Sequence, residues 1–246
     1  MSLNSPVLVV DVGNSLTKVA IFQGDDIILL EKHQQLSSDQ LSVVIDNHSI
    51  SKVIVSKVGE FSAKIEDFLS QTCKTIFFDS STPLPIKNCY ATPQTLGSDR
   101  LAAAVGASAL FPNKNVLVVD SGTAITYDLV TGNGDYLGGA ISPGISIRFK
   151  ALNQFTAKLP LLSITEDYPL VGSDTYSSIS SGVLNGVVYE VDGYIDEVKK
   201  QYSPLEIVFT GGDSFFFDKK LKNSIFVHPN LVLFGLNRIL IHNENY

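Results

Sequence analysis

The chain has 246 residues, 44% apolar and 17% charged, with a formal net charge of −7. This is a globular composition, and no apolar stretch reaches the ~18 residues that span a bilayer. The acidic balance, without a basic cluster, argues against nucleic acid as the main partner. Cys73 and Cys89 form no C-x-x-C pair, and the opening MSLNSP lacks the basic and apolar regions of a secretion signal, so a reduced cytoplasmic protein without structural zinc is expected.

In chain order, alternating and continuous apolar runs predict strands at 7–12, 17–23 and 26–33, joined by tight turns, with Gly24–Asp26 making the second. A helix is predicted near 38–48, a strand at KVIVSKV, a helix near 61–72 and a strand at KTIFFDS. A proline-rich connection, STPLPIKNCYATPQTLGSD, then leads into an alanine-rich helix, LAAAVGASAL. It is long for an unstructured loop, which favours a functional role.

Three further strands follow, then a helix over PGISIRFKALNQF that TAKLPLL ends. A long amphipathic helix is predicted over 178–202. Its apolar face (Val183, Val187, Tyr194, Ile195, Val198) offers a dimer interface. EIVFTGGDSFFFDKKL reads as strand, glycine turn and helix, NSIFVHP as a short strand, and LVLFGLNRILIHNE as a terminal helix.

The most informative feature is a repeat. VLVVDVGNSLT at 7–17 returns as VLVVDSGTAIT at 116–126, with seven of eleven positions identical. Each copy is an apolar strand ending on a carboxylate, Asp11 or Asp120, and then a polar turn. Gly13 and Gly122 let a ligand approach the backbone, and consecutive N–H groups in such turns form anion-binding nests. Asn14, Ser15, Thr17, Thr123 and Thr126 add neutral donors. An aspartate beside phosphate requires a cation between them, and a hard one such as Mg²⁺ fits. No G-x-x-x-x-G-K-[ST] or strand-borne G-x-G-x-x-G is present. The duplication suggests two acidic turns closing on one ligand. Strand, phosphate hairpin, strand, turn, strand is how each half of the actin, sugar-kinase and Hsp70 architecture begins. The fold class expected is α/β: a duplicated ribonuclease-H-like fold, two halves at 1–114 and 115–246, each a mixed five-stranded sheet flanked by helices.

Several residues have both a chemical and a structural reading. Asp99 enters the alanine-rich helix in its first turn, where a helix N-terminus stabilises a carboxylate by ~0.3–1 kcal/mol. It suits a general base accepting a hydroxyl proton, and Ser98 or Asp99 equally suits an N-cap. Arg100 could fork onto a carboxylate or phosphate, or form a surface ion pair. Tyr90 could line the site or pack the loop. Lys18 could reach phosphate or lie on the solvated face of its strand. Asp213 reads as an N-cap, while Asp128, Glu190 and Asp192 read as strand and helix surface. The four histidines show no metal spacing.

Taken together, DVGNSLTK, GSDR, DSGTAIT, GGAISPG, TAKLP and TGG, in this order along nearly the whole chain, resemble type III pantothenate kinase. The resemblance implies an actin-like kinase that phosphorylates pantothenate with ATP at the start of coenzyme A synthesis. It implies a homodimer needing Mg²⁺ and a monovalent cation, potassium or ammonium. Asp11, Val12, Gly13, Asn14, Ser15, Leu16, Thr17 and Lys18 would hold the ATP phosphates, with Asp11 orienting Mg²⁺ through water. Thr123 would touch ATP and Asp120 would bind the monovalent cation. Asp99 would be the general base. Tyr90, Gly97, Ser98, Arg100 and Thr175 would line the pantothenate site, with Thr175 serving the partner's pocket. The departures are mild: Ser15 stands where Thr is usual, Ile125 where Thr is commoner, and Ser98 where a small apolar residue is frequent. Other activities open to this scaffold are sugar phosphorylation, phosphatase chemistry and non-catalytic nucleotide-dependent assembly.

Overall fold

The computed structural model describes residues 5–13, 16–59 and 61–244, so the turn residues Asn14 and Ser15 lie outside the described residues. The chain forms two compact units: one from the residues up to Leu110 together with those from Leu231 onward, the other from Phe111 to Asn230.

The first unit opens with β1 (Val7–Val12), β2 (Thr17–Gln23) and β3 (Asp26–His33), an antiparallel meander. After α1 (Ser38–His48), β4 (Lys52–Lys57) lies parallel to β1. After α2 (Ala63–Thr72), β5 (Lys74–Phe77) lies parallel to β4. The sheet order is β3-β2-β1-β4-β5. Leu8, Val9, Val10, Val53, Ile54 and Val55 are fully buried, because helices cover both faces of these central strands. Each such side chain contributes roughly 1.5–3 kcal/mol. Leu8, Val10 and Val12 meet Leu41, Ile45, Ile65 and Leu69 of α1 and α2. A two-residue strand, β6 (Lys87–Asn88), interrupts the proline-rich connection.

The opposite face is covered by α3 (Ser98–Leu110) and α7 (Leu231–Glu244). These two helices approach to backbone contact. A Cβ added at Gly235 would lie 1.7 Å from the Ala102 carbonyl oxygen, and one at Gly106 would lie 2.8 Å from that of Leu231. Asn237 Nδ2 donates to Gly24 O at 2.9 Å, and Arg238 pairs with Asp25. The compact units therefore do not follow the division at 114 and 115: the terminal helix joins the first unit, because its glycine fits the alanine face of α3.

The second unit repeats the topology. β7 (Asn115–Ser121), β8 (Ala124–Val130) and β9 (Asp135–Pro143) form the meander, and β10 (Leu205–Thr210) lies parallel to β7. β11 (Phe226–Val227) lies parallel to β10, so the order β9-β8-β7-β10-β11 mirrors the first sheet. The duplicated actin-like α/β fold is present, each unit with a mixed sheet and flanking helices. Between β9 and β10 run α4 (Ile145–Gln154) and α5 (Thr175–Tyr202). Helix α5 starts three residues before the predicted position because Asp174 caps it, accepting from the amides of Tyr176 and Ser177.

Two expectations are corrected here. The apolar face of α5 is no free interface: Val183, Val187 and Ile195 are buried in this unit's own core with Phe149 and Phe209, and Tyr194 and Val198 pack against it. The helix predicted after the glycine turn is a single turn, α6 (Ser214–Phe217), and Lys219 beyond it has a left-handed φ of 65°.

Candidate active site

The first acidic turn grows from the end of β1. Val12 is buried, and its carbonyl accepts from Val58 N at 2.9 Å and Gly59 N at 3.2 Å. The turn is closed by the Gly13 N–H donating to Leu16 O at 3.1 Å. A side chain at Gly13 would press on that same oxygen. Leu16 is exposed, and Thr17 is buried at the start of β2. In the strand register Asp11 stands opposite Lys18 on one side and Ser56 on the other. Facing residues of neighbouring strands share a face. Burial pushes the Asp11 carboxyl up to about 6, the Lys18 charge opposes this, and the Asp99 charge adds to it. Asp11, Lys18 and Asp99 thus form one electrostatic group within the first unit.

Ser56 connects them. It is buried, and its hydroxyl pairs with Ser98 Oγ at 3.0 Å. Ser98 is the first residue of α3, so Asp99 sits in the first turn, as the sequence predicts. The Arg100 amide donates to Asp99 Oδ1 at 2.8 Å, which fixes the carboxylate at the helix tip. A Cβ at Gly97 would lie 2.5 Å from the same oxygen, so glycine there leaves room for the carboxylate. Arg100 is buried rather than a surface group, and its guanidinium carbon lies 5.8 Å from the centre of the Tyr90 ring. Tyr90 N donates to Asn88 Oδ1 at 3.0 Å. A cavity of about 320 Å³ adjoins this loop, lined by Lys57, Asp79, Pro93, Gln94, Gly97 and Ser98 among others.

The second acidic turn is built likewise. In register Asp120 faces Thr126 of β8 and Thr210 of β10. Gly122 N donates to Ala124 O at 3.0 Å, leaving Thr123 exposed at the tip. Gly144 N donates to Thr123 O at 3.1 Å, and a Cβ on Gly144 would lie 2.1 Å from Gly122 O. Gly211 has a φ of 91°, and a Cβ there would strike both Ser121 O and Asp120 Oδ1. Asp213 holds the N-cap position of α6 but makes no capping hydrogen bond, and burial raises its pKa.

Thr175, the first residue of α5, is exposed. It lines an open groove of about 1060 Å³ with Arg148, Phe155, Thr156, Asp174 and Ser178. Sequence reasoning missed Ser56, which carries no local signal in an apolar strand. It also misjudged two acids, Asp128 and Asp192, and missed the partners of a third, Glu190. Asp128 is buried and accepts from Tyr136 OH at 2.6 Å. Asp192 is buried and accepts from the Lys222 and Asn223 amides. Glu190 accepts from Ser142, Tyr127 and Arg148. Asp128 and Asp192 are internal anchors rather than solvated surface, while Glu190, its side chain 36% exposed, anchors this network from the helix surface. Among the described residues no group of three or more His, Cys, Asp and Glu converges on a point, and no helix is long and apolar enough to cross a membrane.

The family model described as type III pantothenate kinase matches residues 7–197. A type III pantothenate kinase of Bacteroides fragilis is 45% identical over 241 residues, covering 96% of this chain and 98% of its own. A conserved Baf family protein from Campylobacter jejuni superposes with a TM-score of 0.64 at 23% identity, over 97% of this chain and 100% of its own. A glucokinase from an Antarctic psychrotroph gives 0.52 at 13% identity, over 97% and 99%. These last two likenesses concern the fold.

Proposed function

The chain belongs to the type III pantothenate kinase family, and we propose that it transfers the γ-phosphate of ATP to the primary hydroxyl of pantothenate, giving 4′-phosphopantothenate for coenzyme A synthesis. The observation that carries the reading to particular residues is the group Asp11–Ser56–Ser98–Asp99. It sets an acidic phosphate-type turn beside a helix-tip carboxylate within one unit.

Phosphoryl transfer to an alcohol needs positioning, charge neutralisation and a proton acceptor. Asp99 would take the hydroxyl proton as the oxygen attacks the γ-phosphorus. Its carboxylate is held by the Arg100 amide and kept in place by the space at Gly97. Arg100 would fork onto the substrate's carboxylate, with Tyr90 beside it, and Ser98 would be oriented by Ser56. Residues 11–18 would receive the phosphates on the backbone of the Gly13 turn, with Lys18 adding a cation. Thr123 would touch ATP from its own exposed turn. Thr175 would complete a pantothenate pocket across a homodimer, which would cover exposed apolar side chains such as Phe155, Val171, Tyr176 and Tyr189.

The residues present fit the metals that the family implies. A buried carboxyl whose pKa is raised by its surroundings and by a neighbouring aspartate suits a hard divalent cation, so Asp11 would hold Mg²⁺. Asp120, which faces Thr126 and Thr210 in the strand register, would hold potassium or ammonium. When bound, these ions supply charge neutralisation for the phosphates. A cytoplasmic location belongs to the same proposal. A panel of acceptor alcohols with ATP tests the reading: ADP forms with pantothenate in the expected outcome, and formation with glucose or N-acetylmannosamine but not pantothenate would overturn it.

A further inference from the structure

The second unit holds a charged cluster that none of these roles uses. Arg148, on α4, donates through Nη2 to Glu190 Oε2 at 2.7 Å and to Ser142 Oγ at 2.9 Å, and through Nε to Pro143 O at 2.9 Å. Glu190, in the middle of α5, also accepts from Ser142 Oγ at 2.6 Å and from Tyr127 OH at 3.3 Å. Tyr127 is buried, and the Arg148 side chain is 21% exposed. Burial opposes ionisation of Glu190, but the hydrogen bonds from Ser142 and Arg148 outweigh it and lower its pKa. One ion pair thus ties β8, the end of β9, α4 and α5 together.

What it fixes is the corner between β9 and α4. Ser142 and Pro143 end β9, and Gly144 follows as the N-cap of α4. Gly144 is the residue pressed against the second acidic turn. Its N–H donates to Thr123 O at 3.1 Å, and its Cα comes so close that a Cβ would lie 2.1 Å from Gly122 O and 2.4 Å from Thr123 O. Such a contact leaves no slack: a shift of the corner moves the turn. Arginine suits this task because its planar fork of donors reaches Ser142, Pro143 and Glu190 at once, which a lysine's single ammonium does not reproduce.

We propose that Arg148 and Glu190 are a positioning pair for nucleotide binding. They hold the Ser142–Gly144 corner as the back wall of the Gly122–Thr123 turn, and so set where Thr123 meets ATP. The proposal rests on the reading that this turn contacts ATP. A merely structural ion pair would change melting temperature and leave the nucleotide site alone; a positioning pair changes nucleotide affinity selectively.

The experiment compares wild type with Arg148→Met, Arg148→Lys and Glu190→Gln in the full chain. ATP affinity is measured by calorimetry, KM for ATP and for pantothenate separately, and Gly144 amide exchange by NMR. Arg148→Met should weaken ATP binding by about tenfold and speed Gly144 exchange, the scale expected for a modest displacement of a binding group. Because Arg148 also lines the groove that holds Thr175, selectivity is read from Glu190→Gln, which should weaken ATP binding severalfold while KM for pantothenate stays within about twofold. Arg148→Lys should fall between wild type and Arg148→Met, and these two variants decide the matter if Arg148→Met does not fold. Unchanged ATP affinity in the folded variants, or equal losses for both substrates in Glu190→Gln, would overturn the proposal. A wild type that binds ATP yet leaves pantothenate untouched would reject the assigned reaction instead, and ATP affinity and amide exchange would still judge the pair.

Discussion

The carboxylates of Asp11 and Asp99, one ending β1 and the other starting α3, repel each other within the first unit. Burial is the larger reason that Asp11 titrates near 6, Lys18 pulls the other way, and Asp99 pushes it further up. Two like charges held at the tips of two elements cost stability, and a phosphorylated ligand with its cation would relieve that cost.

The first prediction concerns pH. The Asp11 carboxyl has a higher pKa in the folded chain, about 6, than its ordinary 3.8, so the folded state holds the proton more tightly. Wild-type stability therefore falls as pH rises through that interval, by up to about 3 kcal/mol. Asp11→Asn escapes the loss. Thermal melts should show the variant gaining on wild type between pH ~4 and ~6.5 and holding that advantage above it, while its ATP turnover is lost. A constant difference across the range would contradict the shift.

A second prediction concerns Gly97. The added Cβ of Gly97→Ala would sit 2.5 Å from Asp99 Oδ1, and the carboxylate, being the end of a side chain, can move away. The variant should fold normally and lose about 10- to 100-fold in kcat, the scale of a misplaced catalytic group. Wild-type kcat in a folded Gly97→Ala enzyme would show that the position of Asp99 is unimportant.

A third prediction separates fold from chemistry. Gly235→Ala would set a methyl 1.7 Å from the Ala102 carbonyl oxygen, so α7 would have to leave its seat on α3. Overpacking of this kind costs about 1–3 kcal/mol or more. A melting temperature lower by several degrees is expected, and an unchanged one would contradict the close packing of these helices.

The two three-stranded meanders were legible in the sequence because the central runs are apolar on both faces and the repeat aligns the two halves, whereas the order in which the later strands join each sheet comes from the structure. The first-turn position of Asp99 was legible from the boundary between a proline-rich loop and an alanine run. The return of α7 to the first unit was not, since it depends on a glycine meeting an alanine face 133 residues away (Ala102 to Gly235). The apolar stripe of α5 gave the helix, but a stripe does not say whether a sheet or a second chain covers it. Ser56 was invisible because only strand register brings it beside Asp11. Glu190 and Asp128 carry charge in patterns that also suit solvent, and their partners are remote in sequence.

The most direct measurement of the central claim is ADP release by wild type and Asp99→Asn, each with and without pantothenate at saturating ATP. Wild type should release ADP only with pantothenate, and Asp99→Asn should bind both substrates but turn over ~10²-fold or more slowly. Near-normal turnover by a folded Asp99→Asn enzyme would show that the helix-tip carboxylate is not the proton acceptor.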